Sequence, residues 1–338
     1  MRQVWIPRIG EPEVLEVREA PDPEPKAGEV RIRVEASGIN FADILARMGL
    51  YPDAPKLPAV IGYEVAGIVD GVGEDVGKFR DGDRVVCMTR FGGYSDVVCA
   101  PQSAVCEIPD ALDFEGAASI PVNYLTAWLM LVELGGVRVG HRVLVHACAG
   151  GVGLSAVQIC RHFGADVIGT ASAGKHERLR EMGVSTCIDY HGQDFEVEVK
   201  RLTEGRGVDI ALDAVGGESF RKSYNCLADL GQLFIFGASS LAPGKKRSWV
   251  SALTGLSKMG SFKPLQLMSH NKGVFGVNLG HLWHRSDDLA VMLGEILALF
   301  ADGTFKPTVD RSYPFDDAAA AHSYIQDHRN FGKVVLTP

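Results

Sequence analysis

Two rhythms of apolar and polar positions divide the chain. Up to about residue 123, short runs alternate with period two, most clearly Glu29-Val-Arg-Ile-Arg-Val-Glu35 and more weakly Val14 to Arg18. Pro21, Pro23, Pro25 and Gly28, then Gly62, Gly67, Gly71, Gly73, Gly77 and Gly82, break these runs. The pattern predicts a small, heavily turned β-barrel. From about Tyr124, short apolar runs alternate with helical periodicity instead. Strands are predicted at Val143 to Val145, Asp166 to Thr170, Cys187 to Asp189, Val208 to Leu212, Gln232 to Phe236 and Val274 to Asn278, with helices starting near Gly174 and spanning Phe195 to Leu202. That alternation predicts a doubly wound parallel sheet, whose ligands sit beyond the carboxyl ends of the strands. A long helical pattern covers Leu289 to Ala301, and Gly332 to Thr337 reads as a strand that rejoins the N-terminal domain.

The most informative segment joins the first of these parallel strands to a helix through Cys148-Ala149-Gly150-Gly151-Val152-Gly153. A strand, a glycine turn and a helix N-terminus make a cradle for a pyrophosphate: backbone N–H groups face outward, the helix dipole favours negative charge, and no side chain blocks the approach. Gly150 admits the phosphates and Gly153 lets the helix pack on the strand. The turn departs from G-x-G-x-x-G at its first position, where Cys148 replaces glycine.

The tip of the second parallel strand reads Gly169-Thr170-Ala171-Ser172-Ala173-Gly174-Lys175-His176. A carboxylate there accepts hydrogen bonds from an adenosine ribose and repels a 2′-phosphate. This tip offers hydroxyls and Lys175 instead, which favours NADPH. Asp213 ends its strand and is read as capping the turn at Gly216 and Gly217, and residues 240–262 as a lid or a plain surface insertion.

Bulk properties narrow the field. The 338 residues suffice for two domains. The net charge of −8 argues against a nucleic-acid partner, which needs a basic face. The apolar runs are too interrupted to cross a membrane, and Met1-Arg-Gln-Val-Trp-Ile-Pro lacks a signal-peptide core, so a cytoplasmic protein is expected. The seven cysteines form no C-x-x-C pair and suggest neither a disulfide framework nor a thiolate zinc knot.

Along essentially its whole length the sequence resembles the medium-chain dehydrogenase/reductase superfamily. The matches are Ser37-Gly-Ile-Asn-Phe-Ala-Asp43, Gly49-Leu-Tyr-Pro52, Gly62-Tyr-Glu-Val-Ala-Gly67, Gly82-Asp-Arg-Val85, Pro121-Val-Asn-Tyr-Leu-Thr-Ala127, the glycine turn, Ile188-Asp-Tyr190 and Asn330-Phe-Gly-Lys-Val-Val335. It is most similar to the zinc-free quinone oxidoreductases, zeta-crystallin-like and synaptic-vesicle amine-transport-like proteins among them, and to the enoyl reductase domains of polyketide synthases. The resemblance implies a GroES-like catalytic domain at residues 1–123 and 283–338, around a Rossmann NADPH-binding domain at 124–282. It implies a homodimer through the edge strand near Val274 to Asn278.

Alcohol dehydrogenases of the superfamily hold catalytic zinc with a Cys where this chain has Asn40 and a His where it has Tyr63. Asn and Tyr are poor zinc ligands, so no metal site is expected. The resemblance then implies hydride transfer from NADPH to a quinone or an α,β-unsaturated carbonyl, with Asn40, Tyr51 and Tyr63 as the catalytic candidates. Asp43 is read as fixing the local backbone. Cofactor contacts are expected from Asn123, Thr126, Ala149, Gly150, Gly151, Val152, Gly153, Ser172, Lys175, Tyr190, Phe236, Gly237 and Asn330. Two alternatives stay open. One is an enoyl-thioester reductase of a fatty-acid or polyketide pathway, for which Lys245-Lys246-Arg247 with Lys258 and Lys263 offers a basic docking patch. The other is an NADPH-binding vesicle- or crystallin-like protein whose segment with Trp249, Leu253 and Phe262 touches a membrane.

Overall fold

A computed structural model describes residues 1–242, 244 and 257–338. Lys245, Lys246, Arg247, Trp249 and Leu253 lie outside them. The chain forms two compact units, one from Met1–Leu125 with Leu279–Pro338, the other from Thr126 to residue 242 with 257–278.

The first unit is β-rich. Its main sheet runs in the order Val309–Pro314, Lys333–Thr337, Glu29–Gly38, Glu64–Val72, Arg84–Met88, Val105–Glu107, and Val97–Pro101 also pairs with Glu29–Gly38. The alternation seen at Glu29 to Glu35 puts Val30, Ile32 and Val34 into a core with Val65, Val69, Phe79 and Val85. The C-terminal strand does rejoin the N-terminal part, antiparallel, with Val335 opposite Gly38 and Leu336 opposite Ser37. A second small sheet orders Glu16–Glu19, Arg2–Ile6 and Ala59–Val60. Val14 is not part of a strand: Pro12–Val14 is a 3-10 turn, because Pro12 presets the helical φ.

The second unit is a six-stranded, all-parallel sheet: Thr186–Asp189, Asp166–Ala171, Arg142–Val145, Val208–Asp213, Leu227–Ile235, Gly273–Gly276. Numbered along the chain within this unit, the strand order is 3-2-1-4-5-6, the doubly wound arrangement with its switch point between Arg142–Val145 and Val208–Asp213. The fifth strand is longer than the Gln232 to Phe236 run predicts, and it ends one residue earlier. Its first half, Leu227 to Gly231, is interrupted by Asp229 and Gly231 and so does not register as an apolar run. The sixth spans Gly273–Gly276, leaving Val277 and Asn278 beyond it. The helix expected near Gly174 begins with a 3-10 turn at Ala173–Lys175 and continues as His176–Glu181. Phe195–Leu202 is helical as read. Among the described residues, no helix is long and apolar enough to cross a membrane.

Candidate functional site

The glycine turn lies at the switch point and is pinned to both neighbouring strands. The His146 N–H donates to the Leu212 carbonyl (3.0 Å) and the Cys148 N–H to the Thr170 carbonyl (3.1 Å). Ala147 takes φ of +49°, and the Gly150 N–H closes the turn onto the Ala147 carbonyl (2.8 Å). The helix Gly151–His162 starts with Gly150 at its N-cap and no side-chain cap. Its first N–H groups therefore have no side-chain cap among the described residues, and an anion can take them. Gly153 is forced: a Cβ there would stand 2.5 Å from the Cys148 carbonyl oxygen and 2.6 Å from that of Ala147. Ala149 is buried and Val152 half-buried beside the turn. A short bare turn, a capless helix start and glycine where backbone meets backbone fit a dinucleotide pyrophosphate.

Five of the other residues expected around a dinucleotide fall at the carboxyl ends of strands in the same sheet. Ser172 follows Asp166–Ala171 and its carbonyl accepts from the half-buried Lys175 N–H (2.9 Å). Tyr190 follows Thr186–Asp189; at 45% exposure it is no core aromatic. Phe236 and Gly237 follow Leu227–Ile235, and the Phe236 N–H donates to the Asp213 carbonyl (3.2 Å). One Asp213 oxygen accepts from the Val215 (2.8 Å) and Gly216 (3.3 Å) N–H groups, capping the turn as its place in the sequence suggests. Its other oxygen accepts from Ser219 and Ser223, both at 2.7 Å. His146 was not singled out by sequence, yet its ring nitrogens lie 3.0 Å from Thr170 Oγ1 and Ser223 Oγ. Burial holds its pKa down, only partly opposed by Asp213. The signal available was a histidine ending an otherwise apolar strand.

The first unit gathers a second constellation where the strand Glu29–Gly38 ends and two strands and two helices begin. Asn40 precedes the helix Phe41–Arg47, and Asp43 closes its first turn by accepting from the Asn40 N–H (2.7 Å). The same carboxylate accepts from the Gly62 N–H (3.2 Å) and the Tyr94 hydroxyl (3.0 Å), so it fixes the backbone as expected. Complete burial pushes Asp43 up to about 7, against the lowering effect of these bonds. Tyr94 lies between Asp43 and His322, whose Nε2 is 3.3 Å away. Burial, with Arg47 adding to it, holds His322 well below the usual imidazole range.

The Asn40 side chain meets both members of a charged pair. Its Nδ2 donates to Glu64 Oε1 (2.9 Å), and its Oδ1 accepts from Lys333 Nζ (2.7 Å). Lys333 also contacts Glu64 Oε1 directly, and Glu64 Oε2 accepts from the Val122 N–H (2.8 Å) at the start of helix Pro121–Trp128. A carboxylate near that helix start is favoured by the dipole. Glu64 and Lys333 were quoted only as parts of motifs. Nothing in their local sequence announces a buried ion pair 269 residues apart.

Tyr51 and Tyr63 stand edge to face, ring centroids 6.4 Å apart, and Phe91 lies 5.3 Å from Tyr63. The Tyr63 hydroxyl is buried, and no group among the described residues meets it in hydrogen-bonding geometry. Burial first, then Asp43 and Tyr51, hold its pKa above the usual phenol value, so it stays protonated. Asn123 and Thr126 are buried on Pro121–Trp128, and the Asn123 amide donates to the Ser119 carbonyl (3.0 Å). Asn330 donates to the Gly332 carbonyl (2.9 Å). Among the described residues, no group of three or more His, Cys, Asp or Glu side chains is arranged to hold a metal.

Comparison with known proteins gives this geometry a family. Residues 26–110 match the alcohol dehydrogenase GroES-like domain, and residues 182–336 match the zinc-binding dehydrogenase domain. The chain is 41% identical to the human synaptic vesicle membrane protein VAT-1 homolog, over 96% of this chain and 82% of that protein. It belongs to the medium-chain dehydrogenase/reductase family. Among solved structures, the Escherichia coli quinone oxidoreductase complexed with NADPH superposes with a TM-score of 0.89 at 31% identity, covering all of both chains. The CurK enoyl reductase superposes with a TM-score of 0.86 at 29% identity, covering 99% of this chain and 98% of that one. Within this nicotinamide-nucleotide-binding family, the GroES-like and Rossmann-like parts are those the sequence predicts, and the relatives include oxidoreductases.

Proposed function

We propose that this member of the family is a zinc-independent, NADPH-dependent reductase of quinones or α,β-unsaturated carbonyl compounds, acting as a cytoplasmic homodimer. The observation that carries the reading is the capless glycine turn at the switch point, with hydroxyl and Lys175 rather than a carboxylate at the neighbouring strand tip. In this assignment residues 124–282 form the cofactor domain, and 1–123 with 283–338 the catalytic one. Gly150, Gly151, Val152 and Gly153 offer main-chain amides to the diphosphate, with Ala149 beside them. Ser172, Lys175 and Tyr190 serve the phosphorylated ribose end, and Phe236 and Gly237 border the nucleotide. Asn123, Thr126 and Asn330 serve the nicotinamide end.

Bound NADPH supplies a hydride, two electrons and one hydrogen, to an electron-poor carbon. The substrate oxygen gains the displaced electron pair and needs hydrogen-bond donors as it does so. Tyr63 offers a buried, protonated hydroxyl beside Tyr51. Asn40 offers an amide N–H, and Tyr51 stands beside Tyr63 as a second phenol, able to donate the proton that completes reduction.

Absorbance loss of NADPH across quinones, alkenals and enoyl thioesters tests the reading. Turnover of quinones or free alkenals supports it, and turnover of none overturns it. The similarity to CurK favours a second reading, an enoyl-thioester reductase, which exclusive turnover of thioesters would select. The membrane-touching alternative loses ground at Phe262, which packs on the core with Tyr224, ring centroids 5.4 Å apart.

A further inference from the structure

The Asn40 carboxamide is not free to choose its orientation. Its oxygen faces Lys333, which only donates, and its nitrogen faces Glu64, which as a carboxylate only accepts. Turning the amide over would set NH2 against ammonium and C=O against carboxylate. Both neighbours are themselves immobile: Lys333 is 3% exposed, Glu64 is fully buried, and the two form an ion pair. The pairing depends on strand register. The Ile39 N–H donates to the Val334 carbonyl (3.0 Å), which brings Lys333 level with Asn40. Glu64 begins the strand on the other side of Gly38. Gly38 keeps the space open: a Cβ there would stand 2.5 Å from Glu64 Oε1 and 2.7 Å from Lys333 Cε. An amide nitrogen carries two hydrogens. Glu64 takes one, and no other partner of Nδ2 exists among the described residues, while Asn40 remains half-exposed.

We propose that Lys333 and Glu64 are positioning residues for Asn40, locking its carboxamide so that the second Nδ2–H is presented to the substrate oxygen that gains charge during reduction. This rests on the reductase reading above. The pair occupies the place of a metal centre in a functional sense only: instead of a cation touching substrate, a buried cation aims a neutral donor. The oxygen so recognised is a carbonyl or quinone oxygen, an acceptor of a single directed N–H.

Two measurements test it. In protein labelled with 15N-asparagine, the Asn40 side-chain resonances are assigned by their loss in Asn40→Ala. Two separate, slowly exchanging protons are expected, one displaced downfield by the Glu64 carboxylate. Lys333→Met is expected to make them converge and to speed exchange tenfold or more. Because Lys333→Met alone strands a buried carboxylate and can unfold the chain, Lys333→Met with Glu64→Gln, which removes both charges, serves as the second variant. Asn40 resonances unchanged in either folded variant overturn the proposal. Secondly, the double change is expected to lower kcat for an alkenal tenfold or more with Asn40 present, and less than twofold in an Asn40→Ala background, with the KM for NADPH within twofold throughout. Equal losses in both backgrounds overturn it. Absence of any reductase activity in the unaltered protein defeats the reductase reading, and the resonances still decide whether Lys333 and Glu64 hold the amide.

Discussion

Cys148 and Gly169 fill one another's space. The Cys148 sulfur lies 2.7 Å from where a Gly169 Cβ would be, and its own Cβ lies 3.0 Å from that point. The residue that breaks the glycine fingerprint is thus accommodated by a glycine on the adjacent strand, with Cys148 completely buried. Gly169→Ala is expected to cost about 1–3 kcal/mol through overpacking and to weaken NADPH binding by shifting the turn. Adding Cys148→Gly should restore much of both. Urea denaturation and fluorescence titration of NADPH would measure them, and a double variant as impaired as Gly169→Ala would show that the two residues do not interact.

Cofactor choice is expected to depend on Lys175. Reversing its charge should raise the KM for NADPH by roughly tenfold or more, while that for NADH changes by less than about threefold, because only the 2′-phosphate meets the new carboxylate. Steady-state kinetics of Lys175→Glu with both nucleotides checks this. Equal effects would remove the NADPH assignment.

Asp43 makes stability depend on pH in an unusual direction. Its folded pKa is raised from 3.8 to about 7. Between those values the folded chain keeps a proton that the unfolded chain has lost, so this residue's contribution is complete below the lower value and disappears as pH rises through the upper one. Asp43→Asn carries no such titration. The stability of the unaltered protein relative to Asp43→Asn is therefore expected to fall between pH 5 and pH 8, by about 1–3 kcal/mol. Urea unfolding of both proteins at the two pH values measures the difference; a rise would contradict the assignment.

Among the described residues, the strand Gly273–Gly276 pairs on one side only, with Leu227–Ile235, and ends the parallel sheet. Phe275 on it is 38% exposed, and Leu265 and Met268 of the adjoining helix Pro264–His270 are more so. Such an edge needs cover, and in the proposed homodimer a second copy covers it. Sedimentation velocity is expected to give a two-chain mass for the unaltered protein and a one-chain mass for Phe275→Glu. A monomer in both cases rejects this edge as the interface.

Most of the architecture was legible because it rests on local signals. Alternation at Glu29 to Glu35 buries one face of a strand, and six apolar runs, most of them separated by helical stretches, impose a parallel sheet. The glycine turn was legible because its fit to a phosphate rests on backbone geometry, which the identity of Gly150 and Gly153 limits directly. Boundaries were less legible where a strand is interrupted, as by Asp229 and Gly231, or where a proline makes a 3-10 turn, as at Pro12. Asn40, Tyr51 and Tyr63 could be nominated from motifs, but their surroundings could not. Whether a tyrosine hydroxyl is partnered depends on which distant residues pack around it.

What the chain determined alone was the order of its elements and the chemistry on offer: main-chain amides at a capless helix start and a strand tip without a carboxylate. These follow from residue type and spacing of neighbours. Only tertiary structure decided that Lys333 meets Glu64 and Asn40, that Gly169 makes room for Cys148, and that Asp43 is sealed from water. Each depends on strand register between segments far apart in sequence, and burial there sets charge, orientation and proton affinity that no local pattern encodes.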